Sequence, residues 1–163
     1  MLRQNEISLS SRALIELIRS TLLKGASFRF QVKGRSMSPF IRDGDIAVIS
    51  PFRDYSASFG RVAAFVRPRS EKLVIHRIIG KNKKYFFLKG DGLFGVDGLI
   101  PETSILGVIT AIERNGKQVT LGLGPERVII GLLSRLKVLS FFFLIWKFVP
   151  HGLRRFIKCG IRF

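Results

Sequence analysis

The sequence predicts a mainly β fold: an antiparallel, partly closed β domain with an amphipathic helix before it and apolar, basic helices after it. Seven short runs rich in β-branched and aromatic residues fill the middle of the chain. Turn residues separate these runs, and no helical periodicity intervenes between them. On both sides the pattern changes to the 3.6-residue period of a helix.

Over Ser11–Lys24, Leu14, Ile15, Leu17, Ile18 and Leu22 form an apolar stripe, with Arg12, Glu16, Arg19 and Ser20 opposite. Gly25 is suited to end that helix. The stripe reads as packed on the domain; a membrane surface is the other use of such a face. Charges interrupt every apolar stretch here, so the segment does not read as a secretory signal peptide. Arg12, Glu16 and Arg19 likewise leave no run of ~20 apolar residues for a span.

The strands are expected at Phe28–Val32, Asp45–Ser50, Arg61–Val66, Lys72–Ile79, Lys84–Lys89, Ile105–Ile112 and Lys117–Leu121. Between them lie turn clusters such as Arg42-Asp43-Gly44, Arg67-Pro68-Arg69, Lys81-Asn82-Lys83 and Arg114-Asn115-Gly116. After Leu123-Gly124-Pro125 the pattern turns helical until Pro150. The chain thus divides into an N-terminal helix over 1–27, a β domain over 28–124 and an apolar-basic segment over 125–163. Val128–Val149 has the length of a membrane span, but Arg135 and Lys137 interrupt it, and Val138–Trp146 alone is too short. An interfacial or shallowly inserted helix is expected there.

Charge narrows the partners. The 163 residues carry a net charge of +17, with 47% apolar and 24% charged residues, a balance that excludes a disordered chain. Residues 127–163 hold eight Lys/Arg and no acid, alongside the most apolar run in the chain. Bases mixed with a Phe-rich run suit an anionic membrane surface better than a nucleic-acid groove. A peripheral or shallowly inserted place at the cell membrane is therefore expected, with no nucleic-acid partner. Cys159 is alone, which rules out an internal disulfide and a Cys-based zinc site. No metal or cofactor is expected.

Three segments have the makings of a nucleophilic site. Val32-Lys33-Gly34-Arg35-Ser36-Met37-Ser38-Pro39 is a turn between two strands, and Ser36 in it can present both its hydroxyl and its own N–H. A serine hydroxyl needs a base. His76 lies in the apolar strand Lys72-Leu73-Val74-Ile75-His76-Arg77-Ile78, where alternation puts Val74, His76 and Ile78 on one face and Leu73, Ile75 and Arg77 on the other. Burial on such a strand favours the neutral imidazole that base chemistry requires. His151, after Pro150, reads as ordinary surface. Asp91 and Asp97, on the Gly-rich loop after Lys89, are the acids in reach to orient the ring, although Asp-Gly pairs also serve plain turns.

In order and spacing these segments resemble the type I signal peptidases. Gly34-Arg35-Ser36-Met37-Ser38-Pro39 is similar to their serine box, followed by Gly44-Asp45 and by the Gly-led strand Gly60-Arg61-Val62. His76-Arg77-Ile78-Ile79-Gly80 is similar to the Ser-His branch found in archaea and the endoplasmic reticulum, where bacterial housekeeping members place lysine. Lys89-Gly90-Asp91 and Leu106-Gly107-Val108-Ile109 are similar to the closing boxes, with Gly92 where the family has Asn. The resemblance spans about Phe28 to Ile112.

It implies a β domain of the signal-peptidase type and a serine endopeptidase that cuts exported precursors after small residues. By that resemblance Ser36 attacks, His76 is the base, Asp97 orients His76, Asp91 supports as a hydrogen-bond acceptor, and the Ser36 N–H holds the oxyanion. The family's anchor before the serine box is replaced here by the Ser11–Lys24 helix, and residues 125–163 lie outside the common core. Self-cleaving SOS-response repressors share the Gly-x-Ser-Met box and use a lysine base, a role open to Lys72 or Lys89. A catalytically inactive member serving as a membrane- or nucleic-acid-binding module is the remaining alternative.

Overall fold

Strict alternation along the central strands buries both faces of a single sheet. The computed structural model describes residues 11–51, 59–68 and 70–141. They form α1 (Ser11–Leu23), β1 (Phe28–Gln31), β2 (Ile46–Ser50), β3 (Val62–Arg67), β4 (Lys72–Asn82) and β5 (Tyr85–Lys89), followed by β6 (Leu99–Pro101), β7 (Ile105–Arg114), β8 (Lys117–Val119) and α2 (Arg127–Arg135). All pairings are antiparallel, in the order β1-β2-β7-β3-β4-β5-β6, with β8 on β7. The sheet curls into a half-barrel. The mainly β class read from the sequence is the observed one.

On β3, Val62 and Ala64 enter one core while Ala63 and Phe65 enter the other. The first core gathers Ala47, Ile49, Ile75, Ile109 and Ile112 beneath Ile18 and Leu22 of α1. The second gathers Ile78, Phe86, Leu88 and Ile100. Each large aliphatic side chain so buried contributes about 1.5–3 kcal/mol, so these two cores hold the curl. The N-terminal helix thus packs on the domain through Ile15, Ile18 and Leu22. Leu17, expected in that stripe, is exposed, because it lies to the side of the 15-18-22 line. Gly25 follows as expected, its N–H donating to Leu22 O at 2.9 Å.

Among the described residues eight strands are present where seven were expected. The addition, β6, pairs Leu99–Pro101 with Tyr85–Phe87 of β5. Three residues ending in proline give no alternation to read. The helix after Pro125 is also shorter than its pattern: α2 ends at Arg135, Lys137 takes a positive φ of 61°, and a new helical turn starts at Val138. The remainder of the apolar run, Pro150, His151, Cys159 and the basic tail lie outside the described residues. Among the described residues no helix is long and apolar enough to cross a membrane.

The loop between β1 and β2 carries Ser36. It is closed at its base by Val32 N–H to Asp45 O (2.8 Å) and Gly44 N–H to Val32 O (2.9 Å). Asp45 is buried and grips Arg114 of β7 through Nε (2.8 Å) and Nη2 (2.7 Å), while accepting from Arg42 N–H (2.8 Å). Burial pushes its proton affinity up, but the Arg114 and Arg42 hydrogen bonds and charges outweigh that and hold its pKa below the usual carboxylate value. A carboxyl with a depressed folded pKa contributes stability above its unfolded pKa of about 4 and loses it as pH falls through the folded value. Asp45→Asn is therefore expected to cost about 1.5–3 kcal/mol at neutral pH, and less below pH ~4. Urea unfolding at both pH values checks this; an equal loss at both would contradict it.

Candidate active site

Met37 explains how a turn presents Ser36. Met37 and Ile41 are buried in the first core and peg the β1–β2 loop from below, leaving Ser36 half-buried at its crest. Gly34, at φ +102°, makes the bend that a side chain would resist. Its N–H donates to Asp43 Oδ1 at 2.7 Å, and Arg114 Nη2 donates to Phe40 O at 3.0 Å. The Ser38–Pro39 peptide is cis. Among the described residues the Ser36 N–H donates to no acceptor.

Beside this loop runs the segment after β5. Gly92 N–H donates to Ser36 O at 2.9 Å. A Cβ built on Gly90 would lie 2.7 Å from Ser36 O and 3.0 Å from His76 Nε2, so Gly90 fills a narrow gap between the serine turn and the imidazole. A Cβ at Gly92 would meet Ser38 O at 3.2 Å, which leaves little room for the asparagine that the resemblance expects there. The segment then doubles back, and Asp97 N–H donates to Leu88 O at 2.9 Å. That return brings the Asp97 carboxylate to the ring on β4.

His76 pairs with Ala63 across β4 and β3 and is almost wholly buried, its ring 6.1 Å from the Phe65 ring. Its Nδ1 contacts Asp97 Oδ2, and the other Asp97 oxygen accepts from Arg67 Nη2. Burial alone would raise the Asp97 pKa; hydrogen bonds and charge from His76 and Arg67 reverse this and keep it below the ordinary value. An ionised carboxylate only accepts, so Nδ1 carries a proton, and in the neutral ring Nε2 then holds the lone pair. That lone pair lies on the Gly90 side, toward the serine turn. The Ser36 hydroxyl and His76 are not hydrogen-bonded to each other among the described residues. Serine–base pairs of this kind are often loose until substrate binds.

The structure thus divides the two candidate aspartates. Asp97 reaches His76. Asp91, expected as a supporting hydrogen-bond acceptor, accepts from Arg77, with Nε at 2.9 and 3.1 Å and Nη2 at 2.7 Å. Arg77 Nη1 also donates to Gly60 O (2.7 Å) and Gly122 O (2.9 Å). Both residues are 0% exposed. A buried guanidinium demands this degree of satisfaction, and only a carboxylate neutralises it.

One further residue escaped the sequence reading, and a second, Lys89, was named there only as a rival base. Arg67, seen only as part of a turn, shares with Ala63 and Phe65 the face of β3 that looks toward His76, and so meets Asp97. The period-2 count along β3 was the available signal. Lys89 is fully buried, with Nζ 2.8 Å from Ser140 Oγ and 3.4 Å from Ser134 Oγ. Burial pulls its pKa below the ordinary lysine value, against the opposing charge of Asp91. Among the described residues no three His, Cys, Asp or Glu side chains converge to hold a metal.

The Peptidase S24-like family model matches residues 4–92, more than half of the chain. The chain belongs to the Peptidase S24-like family. At the level of its class this is a serine-peptidase domain. The matched stretch holds Ser36, His76 and Asp91, and it stops short of Asp97 and of α2. Comparisons with curated proteins and with solved structures give no match.

The two carboxylates should separate by experiment. Asp91→Asn is expected to destabilise the fold by about 3–5 kcal/mol, the cost of stranding a buried charge. Asp97→Asn should cost less stability, about 1.5–3 kcal/mol, and lower peptidase turnover by about 10²–10⁴. Parallel urea melts and turnover assays read this directly, and similar losses of stability in both variants would contradict the division. Gly90→Ala should push the serine turn away from the ring and lower turnover by about 10², since Ser36 O stands where the new Cβ would go. Unchanged turnover in that variant would show that the gap is not part of the site.

Proposed function

We propose that this protein is a serine endopeptidase of the type I signal-peptidase kind, cutting exported or membrane-associated precursors after small residues. The observation that carries the reading is the His76–Asp97 contact, which leaves the imidazole Nε2 facing the Gly90 gap beside Ser36. In this mechanism Nε2 takes the Ser36 proton as Oγ bonds to the scissile carbonyl carbon. The unengaged Ser36 N–H stabilises the oxyanion. The imidazolium then gives its proton to the leaving amine as the C–N bond breaks, leaving an acyl-enzyme. Water, deprotonated by the same nitrogen, attacks the ester carbonyl, and the imidazolium then returns the proton to Ser36 Oγ as the C–O bond breaks. Asp97 holds the ring in the right tautomer throughout.

The choice of small residues before the cut rests on the resemblance of the serine and histidine boxes. Selection of membrane-associated precursors rests in addition on the chain's basic charge. The family match favours a second reading, self-cleavage with a lysine base. Lys89 is the buried lysine nearest the site in sequence, but its Nζ bonds toward Ser134 and Ser140.

The test incubates purified protein with a precursor peptide carrying Ala before the cut, and follows both peptide and protein by mass spectrometry. Cleavage of the peptide, lost in Ser36→Ala and His76→Ala and retained in Lys72→Ala, is the expected result. Scission of the protein itself, lost in a lysine variant and unaffected by His76→Ala, would replace this reading with the second. A peptide left intact by folded wild-type protein in detergent and in vesicles would remove the activity altogether.

A further inference from the structure

The outer face of α2 has no covering among the described residues. Val128, Ile129, Leu132 and Leu136 lie one helical face apart and are each at least half exposed, Ile129 at 64%. Four such side chains in water are a standing cost unless something apolar meets them. The opposite side of the same segment is anchored. Ser134 and Ser140 are buried on Lys89, and the Ser140 hydroxyl donates to Leu93 O.

That last bond joins the helical segment to the catalytic loop. Leu93, Phe94 and Val96 come just after the Gly90–Gly92 contact with Ser36, and all three are more than a third exposed. Exposed Phe141 stands next to Ser140, at the junction. The anchored side of this segment therefore meets the loop that carries Gly90 at one end and Asp97 at the other, and exposed apolar side chains stand on both.

Charge identifies the partner. Arg135 and Lys137 are exposed at the end of the row, and from Arg127 onward the chain has no Asp or Glu. With a net charge of +17, an apolar row bordered by cations matches a surface that is apolar beneath and anionic at its rim. We propose that the outer face of α2 and the Leu93–Val96 loop form one docking surface for an anionic lipid bilayer, which sets the Ser36 turn beside the membrane. The proposal deepens the peptidase reading, for it explains how a domain without a spanning helix among its described residues meets membrane-borne substrate. It also implies a coupling. Lys89 and Ser140 tie the docked segment to the loop that positions Asp97.

Sedimentation with phosphatidylcholine vesicles, with and without phosphatidylglycerol, tests the surface on the full chain. Wild-type protein is expected to partition about tenfold or more in favour of the phosphatidylglycerol vesicles. Ile129→Glu/Leu132→Glu should weaken that binding by about tenfold, while cleavage of a water-soluble peptide stays unchanged; Phe94→Glu, on the loop that delivers Asp97, should weaken vesicle binding by about the same factor. Arg135→Glu/Lys137→Glu serves as a surface variant with no buried atom altered. Equal binding to both vesicle types, wild-type binding by all three variants, or self-association abolished by the same changes without vesicle binding would overturn the proposal. Vesicle binding that obeys this pattern in a protein that cleaves no peptide would instead sink the peptidase reading alone.

Discussion

A guanidinium with no access to water sits at the centre of this molecule. Arg77 is satisfied by one carboxylate and two carbonyls, drawn from three segments far apart in the chain: Asp91, Gly60 and Gly122. A charge buried this deeply tolerates no vacancy among its partners. It therefore fixes where the Gly90–Gly92 segment, the turn before β3 and the approach to α2 stand relative to β4. His76 is the next residue on that strand and points to the opposite face. One dipeptide thus supplies the frame on one side of the sheet and the candidate base on the other.

The serine turn is located by the same logic at one remove. Gly92 N–H holds Ser36 O, and Asp45 with Arg114 holds the far end of the turn. Distances within the site are then set by backbone bonds and buried ions, not by flexible surface side chains, as a preorganised site requires. Asp97 is delivered differently, by a loop that returns to Leu88 and rests on the C-terminal segment through Leu93. The part of the site contributed by that loop is the part beyond the family match.

Much of this was legible beforehand, for identifiable reasons. Period-2 alternation and turn chemistry placed seven of the eight strands, because those strands bury at least one face. β6 gave no such signal; its pairing partner β5 defines it. Ser36, His76 and Asp97 were named from local context and order, and the structure brings His76 and Asp97 together while setting Ser36 across Gly90 from the ring. Asp91 was named without its partner. Its bond to Arg77 depends on a contact across 14 residues that no local rule contains, although an arginine inside an apolar strand was itself a warning that a carboxylate must meet it. The burial of Lys89 was not foreseen for the same reason, since its partners Ser134 and Ser140 lie some fifty residues on.

Whether His76 activates Ser36 is the point on which the functional account turns. Labelling with a fluorophosphonate, then peptide mass spectrometry, measures it at the nucleophile itself and needs no knowledge of the substrate. The account predicts an adduct on Ser36 that forms in the wild-type protein and is lost in His76→Ala. An adduct on another serine, or Ser36 labelled at the same rate without the imidazole, would contradict it.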